Sequence, residues 1–232
     1  MKSTVDSRQS AAWAALLVVA TSAWAGAVRG GDLPAAIVYL EAFTETLPGY
    51  VREAAPARFV LLEDGQVFVG GTSAVRSGRL ESREVKALEK RLAEVRKLPG
   101  LASSVSLGPG DQRFRLILHK GRALDTTLTG DPAQATPAFK SLAVLVQDLM
   151  RFDHPTLRPY VPASYVLRAR EGRLAGGCRS WPFPEPPSTF VPKVVPAEEV
   201  AYWPKGATPA SVCLGDKAFI VALRPLLPGE QP

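Results

Sequence analysis

Apolar and polar positions follow two different periods in the middle of the chain. Residues 58–70, RFVLLEDGQVFVG, place Asp64-Gly65 between two apolar runs, which predicts a β-hairpin because both turn positions can adopt positive φ. A helical period then begins at Ser82, the predicted N-cap, with Glu84 in the first turn, and it ends at Pro99-Gly100. The apolar face of this helix consists of Val85, Leu88, Leu92 and Val95.

The same order of patterns repeats further along the chain. Residues 113–128, RFRLILHKGRALDTTL, break at Lys120-Gly121, and Thr136-Pro137 offers an N-cap followed by Pro at the first helical position. The predicted buried face of this second helix, which ends before Pro155, comprises Phe139, Leu142, Leu145, Val146 and Leu149. We therefore predict an α+β fold in which residues 58–155 form two ββα units, antiparallel hairpins plus helices, related by a possible duplication.

The flanking regions have different patterns. Residues 26–57 are predicted to be an N-terminal helix and linker, with an amphipathic helix over residues 33–47. Residues 156–232 form a Pro-rich, mainly extended or β region, since 14 of the 21 prolines lie between Pro155 and Pro232. Its stretch 181–196, WPFPEPPSTFVPKVVP, can be neither a helix nor a central strand, because Pro lacks a backbone donor. Short strands are predicted at 165–170, 212–214 and 218–224.

The N-terminus has the pattern of an export signal. Lys2 and Arg8 precede an uncharged run over residues 11–28, and Ala23-Trp24-Ala25 supplies the small-x-small cleavage pattern. We predict a signal peptide over residues 1–25, which leaves 232 − 25 = 207 residues in the periplasm or outside the cell, with no membrane span after cleavage. The alternative is an uncleaved anchor, because the run just reaches a spanning length.

Two cysteines, Cys178 and Cys213, flank the Pro-rich stretch. In an exported chain such a pair is predicted to form a disulfide, which would stabilise the fold by roughly 3–4 kcal/mol through loop closure. The alternative is a pair of free or metal-binding thiols, which the wide spacing and the absence of Cys-x-x-Cys disfavour.

Charge and composition narrow the classes of partner. The formal net charge of +6 falls to +5 when Lys2, Arg8 and Asp6 are removed, and the charge is dispersed, so we predict no nucleic-acid partner. Arg168, Arg170 and Arg173 alternate with apolar or small residues, as on the solvated side of a strand. The absence of Asn and the 19 Arg against nine Lys are typical of a GC-rich bacterial genome.

Linear catalytic motifs are missing. The chain has no Gly-x-Ser-x-Gly, His-Glu-x-x-His, Gly-x-Gly-x-x-Gly or phosphate-binding loop, and its two histidines exclude a three-histidine metal site. His119 is predicted to face solvent from a strand, and His154 to lie at a helix end. Paired carboxylates occur at Glu63-Asp64, at Glu198-Glu199 and at Asp125 with Asp131. Nothing forces them to converge, so we predict neither catalytic residues nor a cofactor or metal.

Aromatic residues interleave with the prolines and are candidate partner contacts. They are Trp181, Phe183, Phe190, Tyr202 and Trp203. Extended Pro/aromatic segments can dock in grooves or add to a sheet edge. The alternative is that these side chains fold back and cover the ββα sheet.

The hairpin at Asp64-Gly65, the Ser82-x-Glu84 helix start and the closing AFIVALRPLLP resemble segments of exported bacterial proteins of uncharacterised function. The resemblance implies export and a small α+β core, and no residue takes a role from it.

These observations favour an exported, non-enzymatic binding or structural module whose partner is a protein or the surface of the cell envelope. Two alternatives remain open: a secreted hydrolase without a linear motif, and a protease-inhibitor-like module that presents a loop. A concave pocket that gathers His154, Asp153, Glu198 or Glu199 would favour the hydrolase. The sequence decides neither the oligomeric state nor whether the C-terminal region packs on the core.

Overall fold

The computed structural model describes residues 35–44, 49, 55–71, 74–121, 123–205, 208–228 and 230. The predicted signal peptide, 1–25, lies outside these residues. The described residues all belong to one compact unit. Within the described ranges, no helix is both long and apolar enough to cross a membrane.

An eight-stranded sheet forms the first layer. Its strands, in chain order, are β1 (Ala36–Thr44), β2 (Phe59–Leu62), β3 (Gln66–Val69), β4 (Arg76–Arg79), β5 (Ser104–Ser106), β6 (Gln112–Leu118), β7 (Leu124–Thr129) and β8 (Arg158–Pro159). Their order across the sheet is β5-β7-β6-β1-β2-β3-β4-β8. Both predicted hairpins are present, as the pairs β2–β3 and β6–β7, and each turn contains a glycine with positive φ, Gly65 and Gly121.

Two α-helices of the described chain cover one face of this sheet. They are α1 (Ser82–Arg96) and α2 (Lys140–Met150), and both agree with the helical period of the sequence. Leu88, Leu92 and Val95 of α1 share a core with Leu40 of β1 and Leu116 of β6. The core is therefore built from the stripes that the sequence predicts.

The two helix starts differ in detail from the prediction. The N-cap of α1 is Glu81 rather than Ser82, because the Glu84 carboxylate accepts a 2.8 Å hydrogen bond from the Glu81 N–H and so sets the capping position. Thr136 does precede a helical segment, but that segment is a short 3₁₀ helix, Pro137–Phe139, which leads into α2.

The predicted helix over residues 33–47 is wrong in its described part. Residues 36–44 form β1, which pairs antiparallel with both β2 and β6 in the interior of the sheet. Val38 and Leu40 face the helix-covered core, whereas Tyr39 contacts a smaller cluster on the opposite face. Because both faces are covered, the strand lacks the simple alternation of a half-buried strand.

The chain is thus of mixed α+β class, as predicted, but its division into two ββα units is not confirmed. Strand β4 stands between the first hairpin and α1. The two hairpins also belong to one sheet, on either side of β1.

A five-stranded sheet forms from the Pro-rich region. Its strands are β9 (Ser164–Glu171), β10 (Arg179–Ser180), β11 (Lys193–Pro196), β12 (Ala210–Leu214) and β13 (Lys217–Pro225), in the order β10-β12-β13-β9-β11. The three strands predicted in this region correspond to β9, β12 and β13. Strand β11, within the Pro-rich stretch, lies at an edge, where Pro is tolerated. Two further 3₁₀ helices are Pro132–Gln134 and Glu198–Val200.

Candidate functional site

The predicted disulfide is confirmed. Cys178 and Cys213 are bonded, with their Cα atoms 5.8 Å apart. The bond lies where β10 pairs in parallel with β12, since Ser180 is opposite Cys213. The covalent link therefore ties the start of the Pro-rich stretch to the edge of the five-stranded sheet.

Three of the five candidate aromatic residues pack on that sheet. Trp181, Phe183 and Trp203 form a cluster whose ring centroids lie 5.1–6.4 Å apart. The cluster covers the face that contains Leu167 and Val221. The alternative that these side chains cover the ββα sheet is therefore wrong: they fold back onto the sheet that their own region forms, because the disulfide and β10 hold them there.

The other two aromatic residues are exposed. Phe190 is 92% and Tyr202 91% accessible. Phe190 belongs to a turn, residues 188–192, that we call the Phe190 turn. The Ser188 Oγ accepts hydrogen bonds from the backbone N–H groups of Phe190, at 3.3 Å, and Val191, at 3.0 Å. The turn is therefore held by its own hydrogen bonds although its apolar side chains face solvent.

Basic residues lie beside the Phe190 turn. Arg168 and Arg170 are two residues apart on β9, on the same face of the strand, and both line a cavity of about 130 Å³ together with the turn. Neither has an ion-pair or hydrogen-bond partner within the described ranges. Arg170 is exposed, as predicted for the solvated side of a strand, whereas Arg168 is half-buried.

Strand β11 offers little for the addition of another strand. Ala197 N donates to Ala163 O at 3.0 Å, so the backbone groups of residues 192, 194 and 196 point away from β9. Of these three residues, only Val194 has an N–H, because the others are Pro192 and Pro196. Prolines in such positions block edge-to-edge pairing.

The histidines do not form a recognisable catalytic centre. His119 is exposed just after β6. The His154 ring contacts Thr156 Oγ1 through Nδ1 at 2.7 Å and Glu84 Oε1 through Nε2 at 3.2 Å. The same Thr156 hydroxyl bonds both backbone groups of Arg79, at 3.2 and 3.1 Å, which joins the residues after α2 to β4. These contacts indicate a structural bridge.

The paired carboxylates stay apart. Asp64 accepts hydrogen bonds from Gln66 N and Arg79 in the hairpin turn, and Asp131 caps a 3₁₀ helix through Ala133 N. Asp125 binds Arg115, which lowers the pKa of the Asp125 carboxyl. None of three cavities found in the described chain is lined by His154, Asp153, Glu198 or Glu199. In the same ranges, no group of three potential metal ligands converges.

A further cavity, of about 400 Å³, lies at the end of α1. Arg96 lines it, and its Nε and Nη2 atoms have no hydrogen-bond partner. Both nitrogens are sealed from solvent, so they cannot bind a ligand from the cavity in this conformation. The cavity therefore does not define a binding site.

A polar cavity of about 290 Å³ lies where the two sheets meet, and we call it the inter-sheet cleft. Strand β1 contributes Tyr39 and Glu41, β9 contributes Arg168, and β13 contributes Arg224. The other lining residues are Ala42, Phe43, Gly49, Ala55 and Pro56. Small-ligand sites usually combine apolar walls with a few convergent polar groups, and the polar share of this cleft is larger than usual.

A buried ion pair joins Arg224, which lines this cleft, to Glu230. Arg224 Nη1 lies 2.5 Å from Glu230 Oε1, and both side chains are only 11% accessible. The contact is not aligned as a hydrogen bond, because Arg224 Nη1 has no hydrogen-bond partner. Tyr39 Oη lies 3.5 Å from carboxylate oxygens of both Glu41 and Glu230, and burial raises the pKa of Tyr39.

Burial also raises the pKa of Glu41, an effect that Arg115 and Arg224 partly offset. Sequence reasoning missed Glu41, Tyr39, Arg224 and Glu230 as site residues. No linear motif could have found them, because they come from opposite ends of the chain and from a segment predicted to be helical. Comparison of the chain with protein-family models, curated proteins and solved structures gave no match.

Proposed function

We propose that the chain is an exported, non-enzymatic binding module that contacts another protein of the cell envelope through the Phe190 turn. The observation that carries this proposal is the 92% accessible Phe190 on a hydrogen-bonded turn. A large apolar side chain that is exposed and already ordered is typical of a partner-contact residue, because little conformational entropy is lost on binding.

The surroundings of the turn support the same function. Val191 is also exposed, and Arg168 and Arg170 flank the turn without counter-charges in the part of the chain described. Lys193, just after the turn, forms a 2.5 Å ion pair with Glu185 and lies over the Phe183 ring. These contacts join the Phe190 turn to the aromatic cluster, so the exposed Phe190 and Val191 lie next to a packed part of the fold.

Export remains part of the proposal. The Cys178–Cys213 disulfide is what an oxidising compartment permits. Intact-mass measurement of the protein recovered from the cell envelope tests this: the mass should lack residues 1–25, and a mass that retains them contradicts cleavage.

Point variants test the binding function, because they leave Trp181, Phe183 and β11 in place. The full-length chain is expressed in its host, cross-linked in the intact cell and purified, as wild type and as Phe190→Ala. Val161→Ala is the matched control, because Val161 is an exposed apolar residue, 85% accessible, outside the turn. We expect Phe190→Ala to reduce the amount of one recovered partner at least about tenfold relative to wild type, because truncation of a central contact residue removes most of its binding energy. Equal recovery in all three proteins would contradict the proposal.

The Phe190 turn also fits a second candidate function, presentation of a loop to a protease. It lies in the segment that the disulfide closes, as expected of an inhibitor loop. This function predicts inhibition of an aromatic-specific protease by the oxidised protein and loss of inhibition on reduction. Absence of inhibition across a broad protease panel would exclude it.

A further inference from the structure

Glu41 in the inter-sheet cleft forms no ion pair with any other residue that the structure describes. It lies opposite Arg115 on β6, but the Arg115 guanidinium binds Asp125 through two hydrogen bonds of 3.1 and 2.8 Å. Arg224 is paired with Glu230. Among the described residues, the remaining contact of the Glu41 carboxylate is the 3.5 Å approach of Tyr39 Oη, which is long for a hydrogen bond. Within those residues, the half-buried carboxylate is thus left without an ion pair, and Arg115 and Arg224 act on its charge only without direct contact.

Arg168 is the complementary group on the other sheet. It is half-buried, lines the same cleft and has neither an ion pair nor a hydrogen bond in the described ranges. No ion pair joins Arg168 to Glu41, although both line this cleft. The two charged groups therefore do not neutralise each other through a direct contact.

Two opposite charges that form no ion pair with the described residues line one cavity, and they indicate the charge pattern of a ligand. A simple anion would be attracted by Arg168 but repelled by Glu41. A simple cation would be attracted by Glu41 but repelled by Arg168. A molecule with separated charges satisfies both groups at once. Phe43, Ala42 and Pro56 provide apolar walls of the same cavity.

We propose that the inter-sheet cleft binds a short zwitterionic peptide, with the terminal carboxylate on Arg168 and the terminal ammonium on Glu41. An arginine fork suits a carboxylate because it can donate two parallel hydrogen bonds. The cavity of about 290 Å³ is near the lower end of small-ligand sites and so accommodates a peptide of about two residues. This site goes beyond the proposed partner contact, although Arg168 borders both cavities.

Calorimetric titration of the purified full chain with alanyl-leucine tests the proposal. The same dipeptide is titrated with its N-terminus acetylated, with its C-terminus amidated and with both ends blocked. We expect the free dipeptide to bind and each block to weaken binding at least about tenfold, since each removes one charge contact. These comparisons use wild-type protein and do not depend on the folding of any variant.

Three variants then assign the contacts. Arg168→Gln should bind the dipeptide with a free C-terminus and the one with an amidated C-terminus with equal affinity. Glu41→Gln should bind the dipeptide with a free N-terminus and the one with an acetylated N-terminus with equal affinity. Arg173→Gln, an exposed arginine that does not line the cleft, is the control and should bind as wild type. The proposal is overturned if no free dipeptide binds at millimolar concentration, if blocked and free forms bind equally, or if acetate alone binds as well. None of these results depends on recovery of a partner by the Phe190 turn.

Discussion

Removal of the Cys178–Cys213 disulfide should destabilise the protein by a predictable amount. The bond joins residues 35 apart in sequence, and closure of a loop of that length lowers the entropy of the unfolded chain. The loop-entropy relation gives about 3–4 kcal/mol at 25 °C. Since domains of this kind are stable by only about 5–15 kcal/mol, the loss is a large fraction of the total.

Urea unfolding of the Cys178→Ser/Cys213→Ser double variant, followed by tryptophan fluorescence, measures this loss. Trp181 and Trp203 lie inside the closed loop and pack against the five-stranded sheet, so their emission reports on that region. With a urea dependence of about 2–3 kcal/mol per molar, we expect the midpoint to fall by roughly 1–2 M.

Reductant supplies the control for this prediction. Reduced wild-type protein should unfold at the midpoint of the double variant, and reductant should leave the variant unchanged. A loss below about 1 kcal/mol would refute the reasoning, because β10 and the aromatic cluster would then hold the region without help from loop closure.

Three further predictions concern other parts of the fold. Urea unfolding should show that Glu41→Gln becomes more stable relative to wild type as the pH rises from about 4 to about 7. The pKa of Glu41 is raised in the folded state, so ionisation of this carboxyl destabilises the folded wild type as the pH increases. A difference in stability that does not change with pH would contradict the burial of this carboxylate. Thermal unfolding of Gly130→Ala should show a loss of more than about 2 kcal/mol in the free energy of unfolding, since φ is +96° and a Cβ atom would overlap the Gly108 carbonyl. Gly176→Ala is the control: its φ is +109°, but a Cβ atom there meets no neighbour, so the loss should be clearly smaller. Leu92→Ala should cost about 2–5 kcal/mol, because Leu92 is fully buried between α1 and the sheet; denaturant unfolding checks this value.

Local patterns explain which elements could be predicted from sequence. The hairpin at Asp64-Gly65 depends on its turn residues, and the helix after Ser82 depends on a 3.6-residue period. Both signals are contained in a short stretch of sequence, so they can be recognised without knowledge of the tertiary structure. The disulfide followed from the number of cysteines and the predicted compartment.

Residues 36–44 could not be assigned in the same way. Their apolar residues fit a helical period. The strand is decided instead by pairing with β2 and with β6, whose residues lie 68 to 80 positions further along the chain. The inter-sheet cleft could not be predicted either, because it is lined by Glu41 of β1 and Arg168 of β9, which belong to different sheets. Among the aromatic candidates, composition could not separate the packed Trp181 from the exposed Phe190.

Site-specific photo-crosslinking at position 190 tests the central claim most directly. A benzophenone amino acid replaces Phe190 in the full-length chain in its host, and in a second strain it replaces Val161, which is also exposed. On irradiation, position 190 should give a covalent adduct with one envelope protein and position 161 should not. No adduct from position 190, or the same adducts from both positions, would contradict a binding function of the Phe190 turn.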